Sequence, residues 1–206
     1  HEFFCDTKKD GLACALIYED GVYQKAITRG DTKLGEDVTE NVRTIKNIPM
    51  RLRPLAKNKQ FLKGRTEIRG EIVMLKKDFD KLNKSRQAKG LPIFANPRNL
   101  SAGTIRQLDP KLVAERPLSF VGYDLLRENE SQVPTNIFAY EVMTDLGITR
   151  SPEATVVDSV DGVMEYVQKW EEKRSELPYI TDGIVIKVNN RANYDVCIHL
   201  AVELYI

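Results

Sequence analysis

Histidine is nearly absent from this chain: His1 and His199 are the only two in 206 residues. A Ser-His-Asp or Cys-His relay has almost nothing to work with. Neither HExxH nor CxxC occurs, which argues against a structural zinc site within the segment. Cys5, Cys14 and Cys197 are odd in number and unpaired in spacing, which suits a reducing compartment better than a disulfide framework. No apolar run is long enough to span a bilayer, and no signal peptide opens the chain. Strong charge of either sign is lacking too. The 31 Lys and Arg against 30 Asp and Glu leave a net +1, which argues against a generally polybasic nucleic-acid binder but allows a local basic face. Internal repeats and low-complexity segments are missing. What is present is a chain that is 42% hydrophobic, enough for one domain with a sizeable core or two small ones. It opens at His1 on strand-like sequence, as expected of a piece excised from something longer.

Residues 2–7 and 13–19 are expected to be strands, with Asp20-Gly21 turning the second into a third, "VYQKAITRG". That makes the opening a meander with Lys8 at the end of its first strand. Residues 35–45 suggest a short helix with acids in its first turn. Residues 66–75 alternate as a strand, and 76–90 are helical, with Phe79 and Leu82 on one face and Gly90 as the stop. In 94–110, Asn96 and Pro97 point to a loop, with a helix from about Ser101 to Pro110. Residues 117–126 are a strand, 127–136 a surface loop and 137–147 a helix ended by Gly147. A short strand at 153–159, an amphipathic helix at 160–174 and a β-branched strand at 180–190 complete the pattern. The order favours an α+β fold with largely antiparallel sheets over a doubly wound parallel sheet.

The stretch "CDTKKDGL" (5–12) raises the question of chemistry. Alone, Lys-x-Asp-Gly is most simply a solvated turn. Other features weigh against that. Lys187 sits in "DGIVIKV", where Ile184, Ile186 and Val188 share one face and Val185 and Lys187 the other. It lies on a solvated face or points into a polar cleft, with nothing in the strand to decide between them. Acids stand beside glycines at Asp10-Gly11, Gly70-Glu71 and Asp182-Gly183, either as turns or as places where a ligand nears the backbone. Arg29, Arg98 and Arg106 lie in loop-like contexts, and their planar guanidinium groups suit phosphate oxygens. A lysine nucleophile must lose a proton whose ordinary pKa is about 10.4. Desolvation and a neighbouring cation such as Lys187 favour that loss, and a phosphate ester is the natural electrophile.

These residues resemble the adenylation (nucleotidyltransferase) domain of the NAD-dependent, bacterial-type DNA ligases. "KKDG" (8–11) fits the Lys-x-Asp-Gly motif common to covalent nucleotidyltransferases. The discriminating segments are "TRGDTKLGEDVTENVRTIKNIP" (28–49), "EIRGEIVM" (67–74), "FANPRNLSAGTIRQLDP" (94–110) and "DGIVIKVNN" (182–190), over about residues 3–190. The resemblance implies antiparallel sheets around a nucleotide cleft, with Lys8, not Lys9, as the residue that takes AMP. It implies that Asp10 and Gly11 complete the motif, that Glu71 holds the ribose with Arg29 against the nucleotide, and that Tyr123 stacks on adenine. Lys187 would contact the α-phosphate. Asp182 matches a position tied to Mg²⁺ (or Mn²⁺), and Arg98, Arg106 and Arg174 match arginines tied to the 5′-phosphate and backbone of a nick.

It further implies NAD as AMP donor, nicked double-stranded DNA as partner, no membrane, a monomer, and a cytoplasmic, nucleoid-associated bacterial location. Residues 1–206 would be an adenylation domain without the N-terminal nicotinamide-mononucleotide domain or the OB, zinc and helix-hairpin-helix modules, so zinc belongs only to those other parts. The chain departs from the pattern in three places. Asp6, expected at the nucleotide, stands where the family has glutamate. Thr32 replaces a glycine. In the atypical tail 191–206, Tyr205 falls where a lysine is expected. Two alternatives stay open: an ATP-using covalent nucleotidyltransferase, and an inactive nucleotide- or DNA-binding module.

Overall fold

The computed structural model describes residues 2–29, 35–193 and 202–205. Among them, eight strands form two four-stranded sheets. One has the order β6-β1-β7-β8, from Thr155–Val157, Phe3–Lys9, Thr181–Val188 and Val202–Tyr205. The other has the order β3-β2-β4-β5, from Val22–Thr28, Leu12–Glu19, Arg65–Met74 and Leu118–Arg127. Neighbouring strands in both run antiparallel, so the expected α+β class holds.

The expected opening meander does not form. β1 pairs with β6 and β7, while β2 pairs with β3 and β4 in the other sheet. The chain changes sheets at Asp10-Gly11. The Asp10 amide bonds the Ile180 carbonyl at 2.9 Å, and Gly11 crosses so tightly against β4 that a Cβ would stand 2.4 Å from the Ile72 carbonyl oxygen. Phe4 through Thr7 are buried in succession, as in a strand covered on both faces. Gly11 and Gly70 thus serve strand packing, and Gly11 also lies in the wall of the cleft. A Cβ on Gly70 would lie 2.3 Å from the Phe120 ring.

Two helical expectations also change. The α-helical part of 35–45 is only α1, Thr39–Val42. Its polar side chains bond outward instead of extending it: Thr39 Oγ1 accepts the Ala26 amide, and Asn41 Nδ2 donates to the Ile105 and Gln107 carbonyls. After α2 (Lys76–Ala88), α3 runs Pro97–Ile105, starting four residues earlier than expected. Asn96 is its N-cap, accepting the Asn99 amide at 2.8 Å, and Pro97 takes the first helical position, where no amide donor is needed. Likewise Pro110 opens α4 (Pro110–Ala114) under an Asp109 cap and does not close α3. The turn at Gly21 (φ +73°) and the stop of α5 (Asn136–Leu146) at Gly147 (φ +92°) are as read from sequence.

The main core lies under the β3-β2-β4-β5 sheet, where Leu16, Ile68, Ile72 and Leu125 meet Tyr140, Met143 and Leu146 of α5. A smaller core joins Cys5, Ile184 and Ile186 to Val163, Tyr166 and Val167 of α6 (Val160–Lys173). Each sheet is thus backed by its own helix, and the cleft opens between the two sheets.

Candidate active site

A cavity of about 790 Å³ lies in that cleft, with walls from β1, β2, β4, β5, β7 and α3. Lys8 reaches it from the end of β1. Opposite Lys8 and Lys9 the register of β7 jumps from Gly183 to Thr181, leaving Asp182 as an extra residue. A bulge of this kind re-aims a side chain. Here the Asp182 carboxylate takes the Lys8 ammonium on both oxygens, at 3.1 and 3.0 Å. Both side chains keep access to solvent, at 23% and 28% exposure.

On β7, Ile184 and Ile186 face α6, while Val185 and Lys187 line the cavity, so Lys187 points into a polar cleft. Glu71, from β4, lies across from Ala13 of β2. Burial pushes its carboxyl from an ordinary 4.5 up to about 7. The cations Arg98 and Lys8 pull it down, and Asp10 and Asp182 push it up. Arg98, on the first turn of α3, donates to Asp10 Oδ1 at 3.0 Å. Tyr123 of β5 and Arg29, just past β3, add an aromatic face and a further cation to the lining. The Tyr123 phenol is pushed up to about 12, by burial first and then by Glu71, so it is an uncharged ring at neutral pH. Arg106 also lines the cavity, tied to Glu36 at 2.7 Å. Arg174 does not line it. That residue follows α6, and its carbonyl accepts Lys76 Nζ.

Asp6 reaches the same cavity but is committed within the protein. Its Oδ1 accepts the Thr7 amide (2.8 Å) and Ser151 Oγ (2.6 Å), and its Oδ2 accepts Lys9 Nζ (2.5 Å) and Tyr140 Oη (2.7 Å). Four donors fill the acceptor sites of a carboxylate. Lys9 and Asp6 are buried, with side chains 3% and 5% exposed. The two adjacent lysines are therefore separated by environment: Lys9 closes an internal ion pair and Lys8 faces the cleft. Tyr140 and Ser151 carry no sequence signal for this network, since they lie 134 and 145 residues from Asp6.

The departures at Thr32 and in 194–201 lie outside the described residues, as does the side chain of Tyr205. The backbone of Val202–Tyr205 pairs with β7, Tyr205 opposite Gly183.

Two antiparallel sheets flanking a lysine-bearing cleft define the nucleotidyltransferase fold of polynucleotide ligases. Solved structures share it: mycobacterial DNA ligase D complexed with ATP and MES (TM-score 0.50, 13% identity, covering 92% of this chain and 49% of that one) and an archaeal ATP-dependent RNA ligase (TM-score 0.52, 13% identity, 92% and 40%). Within that class, the model of the NAD-dependent DNA ligase adenylation domain matches residues 1–197, and the chain belongs to that family. Curated relatives named DNA ligase include those of Thermomicrobium roseum, 45% identical over 194 residues, and Aquifex aeolicus, 44% identical over 193. The matches cover 94% and 92% of this chain but 28% and 26% of those proteins, so the chain spans little more than a quarter of their length.

Proposed function

We infer that Lys8 takes AMP from NAD and that the parent protein passes it to the 5′-phosphate of a nick in duplex DNA. The observation that carries this is Lys8 in a cleft with Lys187, Glu71, Tyr123 and Arg29, in a chain of this family. The lone pair of Lys8 Nζ attacks the α-phosphorus of NAD, a P–N bond forms, and the bridging P–O bond breaks with release of nicotinamide mononucleotide. The lysine proton must leave first; the Asp182 carboxylate at 3.0 Å favours the ammonium, so the pair has to part, and the neighbouring cation Lys187 then favours loss of the proton. Lys187 and Arg29 offset charge that develops on the phosphate. Glu71 holds the ribose, and Tyr123 stacks on adenine. In the second step an oxygen of the 5′-phosphate attacks the same phosphorus and Lys8 departs. In the third, the 3′-hydroxyl displaces AMP. Asp10 completes the motif and holds Arg98 in place; Arg98 and Arg106 orient the nick end, and Arg174 meets the duplex farther out. Asp6 acts on the nucleotide indirectly, through the position of β1.

Mg²⁺ fits this donor set in a limited way. Such ions are bound by one or two carboxylates plus substrate phosphates. Asp182 and Asp10 are the carboxylates that would hold it, both now paired with cations. Among the described residues no three His, Cys, Asp or Glu side chains form a cage. When bound, the ion would neutralise phosphate charge. No helix among the described residues is long and apolar enough to cross a membrane, and we assign the protein to the bacterial cytoplasm beside the nucleoid.

The test is intact mass after incubation with Mg²⁺ and NAD or ATP, with Lys8→Ala as control. A gain of one AMP from NAD alone, absent in the variant, is the expected result. A gain from ATP alone would make the chain an ATP-using nucleotidyltransferase. An adduct that survives Lys8→Ala would overturn the assignment of the nucleophile.

A further inference from the structure

Between Met50 and Thr66 the chain has six basic residues and no acid: Arg51, Arg53, Lys57, Lys59, Lys63 and Arg65. All six are exposed. The segment does not contribute to the Lys8 cavity. β4 runs from Arg65, opposite Glu19, to Glu71, opposite Ala13 at the cavity. Six residues at about 3.3 Å each put the Arg65 end of the basic segment about 20 Å from Glu71.

The segment is held in one shape from within. Phe61 is fully buried. The Arg127 guanidinium donates to the carbonyls of Arg65 (2.5 Å), Lys63 (2.7 Å) and Gln60 (3.2 Å), and to Thr66 Oγ1 (2.7 Å). Asn58 Nδ2 reaches Asp145 at 2.8 Å, and the Arg53 amide bonds the Leu146 carbonyl at 3.0 Å. Turning three carbonyls inward onto one guanidinium leaves the lysine side chains outward on a preorganised backbone. Carboxylates that meet the segment are already engaged: Asp145 by Lys57, Asp20 by the Gly64 amide, and Glu67 by Arg65 and Arg69. Arg51, Lys59 and Lys63 have no ion-pair partner among the described residues.

We propose that residues 51–65 form a second contact for duplex DNA, made to the phosphate backbone and independent of base sequence. Leu55 is the one large apolar side chain of the segment left exposed among the described residues. Protein interfaces need an apolar or aromatic centre. A surface of fixed cations without one suits a phosphate chain, where affinity comes from counterion release. The proposal rests on the DNA-joining function inferred above. It adds a contact whose Arg65 end lies about 20 Å from Glu71, where it would register the duplex without touching the chemistry.

The test compares the chain with a triple variant, Arg51→Gln/Lys59→Gln/Lys63→Gln, binding a labelled duplex with a 5′-phosphorylated nick between about 50 and 200 mM salt, the range over which such contacts weaken. The variant is expected to bind at least ~10-fold more weakly at the low end. Its slope of log affinity against log salt should be shallower by up to about 2.7, about 0.9 for each lost phosphate contact. AMP transfer from NAD to Lys8, read by mass on the same samples, should be unchanged and shows that the variant is folded. Equal affinity and slope for the two proteins would overturn the proposal, as would competition by polyglutamate matching that by duplex, which would point to an acidic protein. Failure of Lys8 to take AMP would sink the functional assignment instead. If the triple variant loses its fold, single Lys59→Gln and Lys63→Gln variants decide by slope changes of about 0.9 each.

Discussion

Glu71→Gln should stabilise the folded protein, and only above mildly acidic pH. The carboxyl lies in the wall of the cleft, and burial lifts it from 4.5 to about 7 in spite of Arg98 and Lys8 nearby. Below pH 4.5 it is protonated in both the folded and unfolded chain and contributes nothing to pH dependence. As pH rises past 4.5, the unfolded chain releases the proton while the folded chain keeps it until about 7. Stability therefore falls across that window and stays reduced above it. At about 1.4 kcal/mol for each pH unit, the full cost is on the order of 3 kcal/mol. Glutamine keeps the shape and never ionises. Urea denaturation of wild type and variant at several pH values reads the difference. The curves should nearly coincide at about pH 4 and separate by about 3 kcal/mol at about pH 8, a midpoint shift of about 1 M or more. A gap of equal size at both ends, or a variant less stable at high pH, would refute burial as the cause.

Asp6→Asn leaves the Lys9 ammonium buried without a counter-charge and should cost about 3–5 kcal/mol; adding Lys9→Met should recover much of it. A double-mutant cycle with no coupling between the two would sink the ion-pair account. Gly70→Ala places a Cβ at 2.3 Å from the Phe120 ring. It should cost about 1–3 kcal/mol by overpacking, while Gly70→Ala with Phe120→Leu should regain part of that in thermal melts. The Thr7 hydroxyl is buried with no hydrogen-bond partner among the described residues. Thr7→Val should thus raise stability by about 1 kcal/mol, and a loss of that size in chemical denaturation would show that the hydroxyl has a partner.

Where a local rule governed, it was readable in the sequence. Alternation in "GIVIKV" separates Lys187 from its apolar neighbours, and the glycines at 21 and 147 end their elements with positive φ. The misreading at Asn96-Pro97 came from weighing two breakers singly, whereas side by side they make a cap and a first helical residue. The false meander has another cause. Turn residues between two strands do not say whether the strands pair or part, and only the unbroken burial of Phe4–Thr7 hints that β1 is a central strand. Within the site, the short motif could not rank Lys8 over Lys9. That choice came from family resemblance, and the physical separation lies in Tyr140 and Ser151, too far along the chain for any local pattern to connect them to Asp6.

The bulge that aims Asp182 at Lys8 also makes that lysine chemically quiet. An ammonium has no lone pair, and one seated on both oxygens of a carboxylate is the least available to passing acylating or carbonyl compounds. Lys8 is in this sense latched, and whatever draws Asp182 away, a competing cation above all, opens the latch. A lysine that keeps 23% of its side chain open to solvent is thereby spared chance modification for as long as the pair stays closed.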